Sequence, residues 1–143
     1  MISMLSRSRL LLAALWGGFL LCIALVAAPS AFAVLDRAQA GLVVGRLFAL
    51  EANISLAVAL LLLLIERKLA QSTDRSLLSA SMLLPAGALF CTLAGYYALQ
   101  PLMVAARAGQ GDWSFLTLHA LSFGFFGLKT LLVLILAWRS SKA

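Results

Sequence analysis

Six polar side chains stand where an apolar chain has little ordinary use for them. Arg46, Glu51 and Asn53 interrupt the run Ala40–Ile65, and His119, Ser122 and Lys129 interrupt the run Ser114–Trp138. Two strong bases, an acid, an imidazole, an amide and a hydroxyl could form ion pairs, pass a proton or hold a charged solute. A charged side chain at the centre of a membrane helix costs roughly 2.5–3.5 kcal/mol on insertion scales, so such groups turn into a bundle and find partners there. The two runs are therefore expected to face each other.

Spacing narrows the pairing. At about 100° per residue His119 and Ser122 lie about 60° apart, and Ser122 and Lys129 nearly coincide, giving one polar stripe. Arg46 and Asn53 also share a face, whereas Glu51 projects about 140° from Arg46, so one of these two faces could address another helix or a second copy of the chain. Glu51 and Lys129 lie deeper than Arg46 and His119 by roughly 8 and 15 Å at 1.5 Å per residue. Glu51–Lys129 is thus the natural ion pair, with snorkelling of Lys129 toward the interface as the alternative. Two roles stay open for the cluster: a pair that fixes helix register, or part of a pathway for a solute, ion or proton.

The same residues offer little to a metal or cofactor. His119 is the single histidine of the chain, and a metal site needs further ligands at short range, so a hydrogen-bonded core histidine is the simpler reading. A b-type haem would need a second axial ligand. There is no HExxH, phosphate loop or CxxC, and the expectation is a protein with no cofactor, no metal and no enzymatic activity. Cys22 and Cys91 sit among aliphatic residues far apart in the chain. They read as small packing residues, not as a disulfide.

The elements that must position these groups follow from composition. Of 143 residues 64% are hydrophobic and only 11% charged, with a mean hydropathy of +1.06, against about 25% charged in soluble domains. A span needs about 20 apolar residues, so the chain allows one all-α domain: a polytopic membrane protein with a four-transmembrane-helix bundle. The expected helices are about 10–28, 37–66, 78–104 and 113–138. The net charge of +6 is scattered beside apolar runs instead of forming a stripe, which excludes nucleic acid and leaves the lipid bilayer as the evident partner.

Local signals set the boundaries. Pro29 fits the end of the first helix, and Asp36-Arg37-Ala38-Gln39 matches a capping box opening the second. Pro85 should bend the third helix and free a carbonyl. Asp112 reads as a cap for the fourth, which Trp113 and Trp138 bracket like aromatic belts. Trp16-Gly17-Gly18 and Gly41-x-x-x-Gly45 are small-residue ridges suited to helix contact, and they make a homo-oligomer a further expectation. The first run also resembles a secretory signal, with basic residues before it and Ala31-Phe32-Ala33 after it. Its apolar part is long enough to span, and retention is expected over cleavage.

Arg7, Arg9, Arg67, Lys68, Arg75, Arg139 and Lys142 fall on one side and Arg37 and Arg107 on the other. The positive-inside rule then places both termini in the cytoplasm, in a bacterial inner membrane.

Trp16-Gly17-Gly18, Ala28-Pro29 with Phe32, Ala40-Gly41 with Gly45-Arg46-Leu47-Phe48, and Phe115 through Ser122 together resemble the transmembrane protein 205-like family, over about residues 10–138. Its bacterial members are integral membrane domains of unknown function. The resemblance implies a retained first helix and a small bundle of four helices. His119 matches the Leu-His-x-x-Ser position of that family and Arg46 its Gly-Arg-Leu-Phe position. A eukaryotic relative is associated with resistance to platinum drugs and has been proposed to act in export or vesicle traffic, but the resemblance itself implies little chemistry. The leading expectation is a small protein for solute handling or metal or drug export that uses the cluster Arg46, Glu51, His119 and Lys129. The competing expectation is a structural or assembly factor for another membrane complex, with the polar residues serving helix packing.

Overall fold

The computed structural model describes residues 1–142. Four helices account for nearly all of them: α1 (Ile2–Val34), α2 (Arg37–Ser72), α3 (Ala80–Arg107) and α4 (Phe115–Ser141). Each is long and apolar enough to cross a membrane. With Leu15, Leu42, Leu60, Phe90 and Phe123 all exposed on the outer faces, the surface is far more apolar than water tolerates in a monomer. The fold is that of a multi-pass membrane protein.

The helices form a ring in chain order, α1 against α2, α2 against α3, α3 against α4, and α4 back against α1. The core is built from Ala13, Trp16 and Leu20 of α1, Ala59 and Leu62 of α2, Ala88 of α3, and Val133 and Leu136 of α4. Alanines at three of the four contributing faces let the backbones approach closely, which is how helices associate where lipid removes the hydrophobic driving force. The ring has one consequence that the sequence reading misses: α2 and α4 are not neighbours but lie across the diagonal.

Helix ends follow identifiable chemistry. Asp36 Oδ1 accepts from the Gln39 amide at 2.9 Å and opens α2. The cap of α4 is Ser114, not Asp112: Ser114 Oγ accepts from the Thr117 amide at 3.2 Å, which fixes the first turn two residues later than the aspartate would. Gly109 and Gly111 both take positive φ in the turn before it, a conformation glycine adopts without steric penalty.

Pro29 does not end α1, which runs on to Val34. A π turn at Ile23–Ala27, closed by Ala28 N–H reaching back to Ile23, precedes the proline. It loosens the winding where the ring would meet the carbonyl four residues earlier. Pro101 follows a second π turn, Leu93–Ala98 in α3, in the same way. Helix α2 likewise continues beyond 66 to Ser72, so Arg67 and Lys68 also belong to the helix.

Candidate functional site

The centre of the bundle is polar. Glu51 and Lys129 form an ion pair across the diagonal, the carboxylate 2% and the ammonium side chain 3% exposed. Adjacent helices pack with axes about 8–10 Å apart, so a diagonal of about 11–14 Å is spanned only by two long side chains. Ser55, one turn on from Glu51, donates to the same Oε1 at 2.5 Å, and Trp16 Nε1 donates to Ser55 Oγ at 2.9 Å. Lys129 Nζ also lies 5.2 Å from the centre of the Phe126 ring. The chain Trp16–Ser55–Glu51–Lys129 ties α1, α2 and α4 together through the middle of the structure. Its charges compensate each other, and Trp16, Ser55 and Lys129 each donate one hydrogen bond within it, which lowers the cost of burying the pair.

Trp16→Phe keeps an aromatic ring in the core, removes the bond to Ser55 and gives up part of the indole volume. The expected loss is about 0.5–1.5 kcal/mol, read from detergent or bicelle unfolding curves.

The other sequence-selected residues do not join this network. Arg46 and His119 are exposed, so the cluster of Arg46, Glu51, His119 and Lys129 does not form. The reason is rotational: the face of α2 that carries Glu51 turns inward, and this sends Arg46 and Asn53, about 140° and 160° away, to the outside. Lys129 lies deep in the core while His119, ten residues earlier, stacks on Phe115 with ring centres 5.8 Å apart. Asn53 accepts from the Tyr97 hydroxyl at 2.5 Å, joining α2 to α3 on the outer surface. Ser122 donates to the Gly95 carbonyl at 2.8 Å. That carbonyl belongs to the π turn of α3, where normal helical pairing is interrupted.

One repeated pattern could have located the centre. Phe48-Ala49-Leu50-Glu51 and Phe126-Gly127-Leu128-Lys129 occur at equal distances from the starts of α2 and α4. They bring Phe48 and Phe126 edge to face at 5.3 Å beside the ion pair.

A second buried pair has no counterpart in the sequence reading. Arg9 Nη1 lies 3.2 Å from Glu66 Oε1 and 3.5 Å from Oε2, with both side chains 5% exposed. Its signal was the α2 stripe Glu51, Ser55, Ala59, Leu62, Glu66, all buried and spaced 4, 4, 3 and 4 as one helix face requires. Glu66 thus lies about 22 Å from Glu51 along the helix, at the end of the bundle that carries both chain termini.

Two apolar grooves mark the surface. One, of about 580 Å³, runs along α4 past Thr117, Ala120 and Gly124. The other, of about 210 Å³, lies between α1 and α2 and is lined by Leu12, Leu15, Trp16, Phe19, Ile54 and Val58. Neither is lined by Glu51, Ser55 or Lys129. Among the described residues no three His, Cys, Asp or Glu side chains gather as a metal site would require.

No curated protein and no solved structure matches the chain. Residues 10–112 match a family described as a domain of unknown function, a span that takes in most of α1 with α2 and α3 and ends before α4. Since this match covers well over half of the 143 residues, the chain belongs to the DUF4149 family, a domain of unknown function.

Proposed function

We propose that the protein is a non-enzymatic structural or assembly factor of the bacterial inner membrane, with both termini cytoplasmic, in which the internal ion pairs fix packing and the outer faces receive other membrane helices. The observation that carries this reading is the enclosure of the central charges: Glu51 and Lys129 pair with each other, Ser55 and Trp16 are bonded in series to the same carboxylate oxygen, and neither groove is lined by Glu51, Ser55 or Lys129. The outward ridge Gly41-x-x-x-Gly45, where an added Cβ would meet nothing within 4 Å, supports association with a partner or a second copy. Seven basic residues at the end bearing the termini, against two at the other, support the orientation. The resemblance to the transmembrane protein 205-like family rests on the motifs of residues 10–138 and adds a retained first helix, in keeping with Trp16 standing in the core.

A second reading, handling or export of a small solute, metal or drug, is favoured by the position of Glu51 and Lys129 near the middle of their spans, between the α1–α2 and α3–α4 hairpins. Membrane abundance and the phenotype of a deletion strain, complemented with Lys129→Gln or His119→Gln, separate the two. The packing reading expects Lys129→Gln to lower abundance with any loss of phenotype in proportion, and His119→Gln to change neither. Normal abundance of Lys129→Gln with the phenotype lost would overturn it in favour of solute handling.

A further inference from the structure

Arg9 is a buried guanidinium with an unused side. It lies on the core-facing stripe of α1 with Ala13 and Trp16, and its two bonds to Glu66 both come from Nη1. Nε is enclosed and has no acceptor. A buried donor without a partner carries its full desolvation penalty, and such groups mark sites completed by something else. A guanidinium presents Nε and a terminal nitrogen as a planar fork, the geometry that grips two oxygens of a phosphate.

The surroundings select the ligand. The end of the bundle holding Arg9 carries Arg7, Arg67, Lys68, Arg75, Arg139 and Lys142 as well, against the acids Glu66 and Asp74. At the opposite end Arg37 and Arg107 are balanced by Asp36 and Asp112. The positive field is therefore concentrated around Arg9, and it favours an anion. The apolar groove between α1 and α2 begins at Leu12, one turn from Arg9, and extends to Phe19. From Arg9 to Phe19 the helix rises about 15 Å, half the hydrocarbon thickness and the reach of one acyl chain.

We propose that the end of the bundle bearing the termini holds an anionic phospholipid, its phosphodiester on the Nε side of Arg9 and one acyl chain in the α1–α2 groove. This site is independent of the assembly role. A buried fork and an apolar groove that starts one turn away suit a phosphate carrying an acyl chain, and free phosphate would leave the groove unused.

The test is lipid binding to the purified full-length protein, measured by native mass spectrometry and by thermal shift with phosphatidylglycerol, phosphatidylcholine and inorganic phosphate. Phosphatidylglycerol is expected to bind roughly tenfold or more tightly than phosphatidylcholine: both carry the phosphodiester, but the choline ammonium of the latter meets the basic residues of this end of the bundle. Arg9→Lys keeps a cation for Glu66 but removes the fork, and should weaken both lipids severalfold; unchanged binding by a folded Arg9→Lys protein would overturn the phosphate contact. Val58→Trp fills the groove, leaves Arg9 and Glu66 intact, and should weaken both lipids. Equal binding of the two lipids by the wild type, unchanged binding by Val58→Trp in a folded protein, or an equal shift with inorganic phosphate alone would each overturn the lipid site.

Discussion

Lys129→Met is expected to cost about 3–5 kcal/mol, because it leaves the Glu51 carboxylate buried with only Ser55 as a partner. The side chain itself is nearly isosteric, so lost packing contributes little to that figure. Replacing both members together, as Glu51→Met with Lys129→Met, removes the uncompensated charge and should recover most of the loss. Reversible unfolding in mixed micelles, followed by helix content, distinguishes the two outcomes. A Lys129→Met protein as stable as the wild type would mean that the ammonium group contributes nothing to the bundle.

The second large effect is expected at Gly95. A Cβ built there would sit 2.5 Å from Cβ of Phe125 and 3.2 Å from its Cγ. Cβ of Phe125 is tied to the backbone of α4 and cannot swing aside, so Gly95→Ala must drive α3 and α4 apart. The Ser122 bond to the Gly95 carbonyl would be stretched at the same point. Overpacking usually costs about 1–3 kcal/mol, and the loss of this bond places Gly95→Ala at about 3 kcal/mol. Gly18→Ala is the matched control, since nothing lies within 4 Å of an added Cβ there. It should be neutral or stabilising by about 0.5–1 kcal/mol through helix propensity. Equal stability of the two variants would contradict the close approach of α3 and α4.

Hydropathy and cap chemistry suffice for the architecture, because bilayer thickness fixes span length and Asp36 can act only locally on the Gln39 amide. Prolines mislead for a corresponding reason. The penalty at Pro29 is relieved by a π turn, and nothing in the composition of Ile23–Ala27 announces it. Facing is harder still. Helical spacing relates Arg46, Asn53 and Glu51 to one another but not to the bundle axis, so which face turns inward depends on helices distant in sequence. Once Glu51 points in, Arg46 must point out.

The pair Arg9–Glu66 was hidden by a different habit of reading. Basic residues flanking a span are ordinarily topology signals, and Arg9 looks like one until Glu66 is placed on the same α2 stripe as Glu51. A regular stripe that carries charge at both ends and alanine, serine and leucine between them is a better guide to the interior than the charges alone.

The central claim is that Glu51 and Lys129 act as one unit holding the diagonal of the bundle. A double-mutant cycle on Glu51→Gln and Lys129→Gln, read as unfolding free energy in mixed micelles, tests it most directly. Residues in direct contact within a polar network give coupling on the order of 0.5–3 kcal/mol, and the upper part of that range is predicted here because both charges are buried. Two single effects that add to within about 0.3–0.5 kcal/mol would show that the residues are independent, and the account of the bundle centre would be wrong.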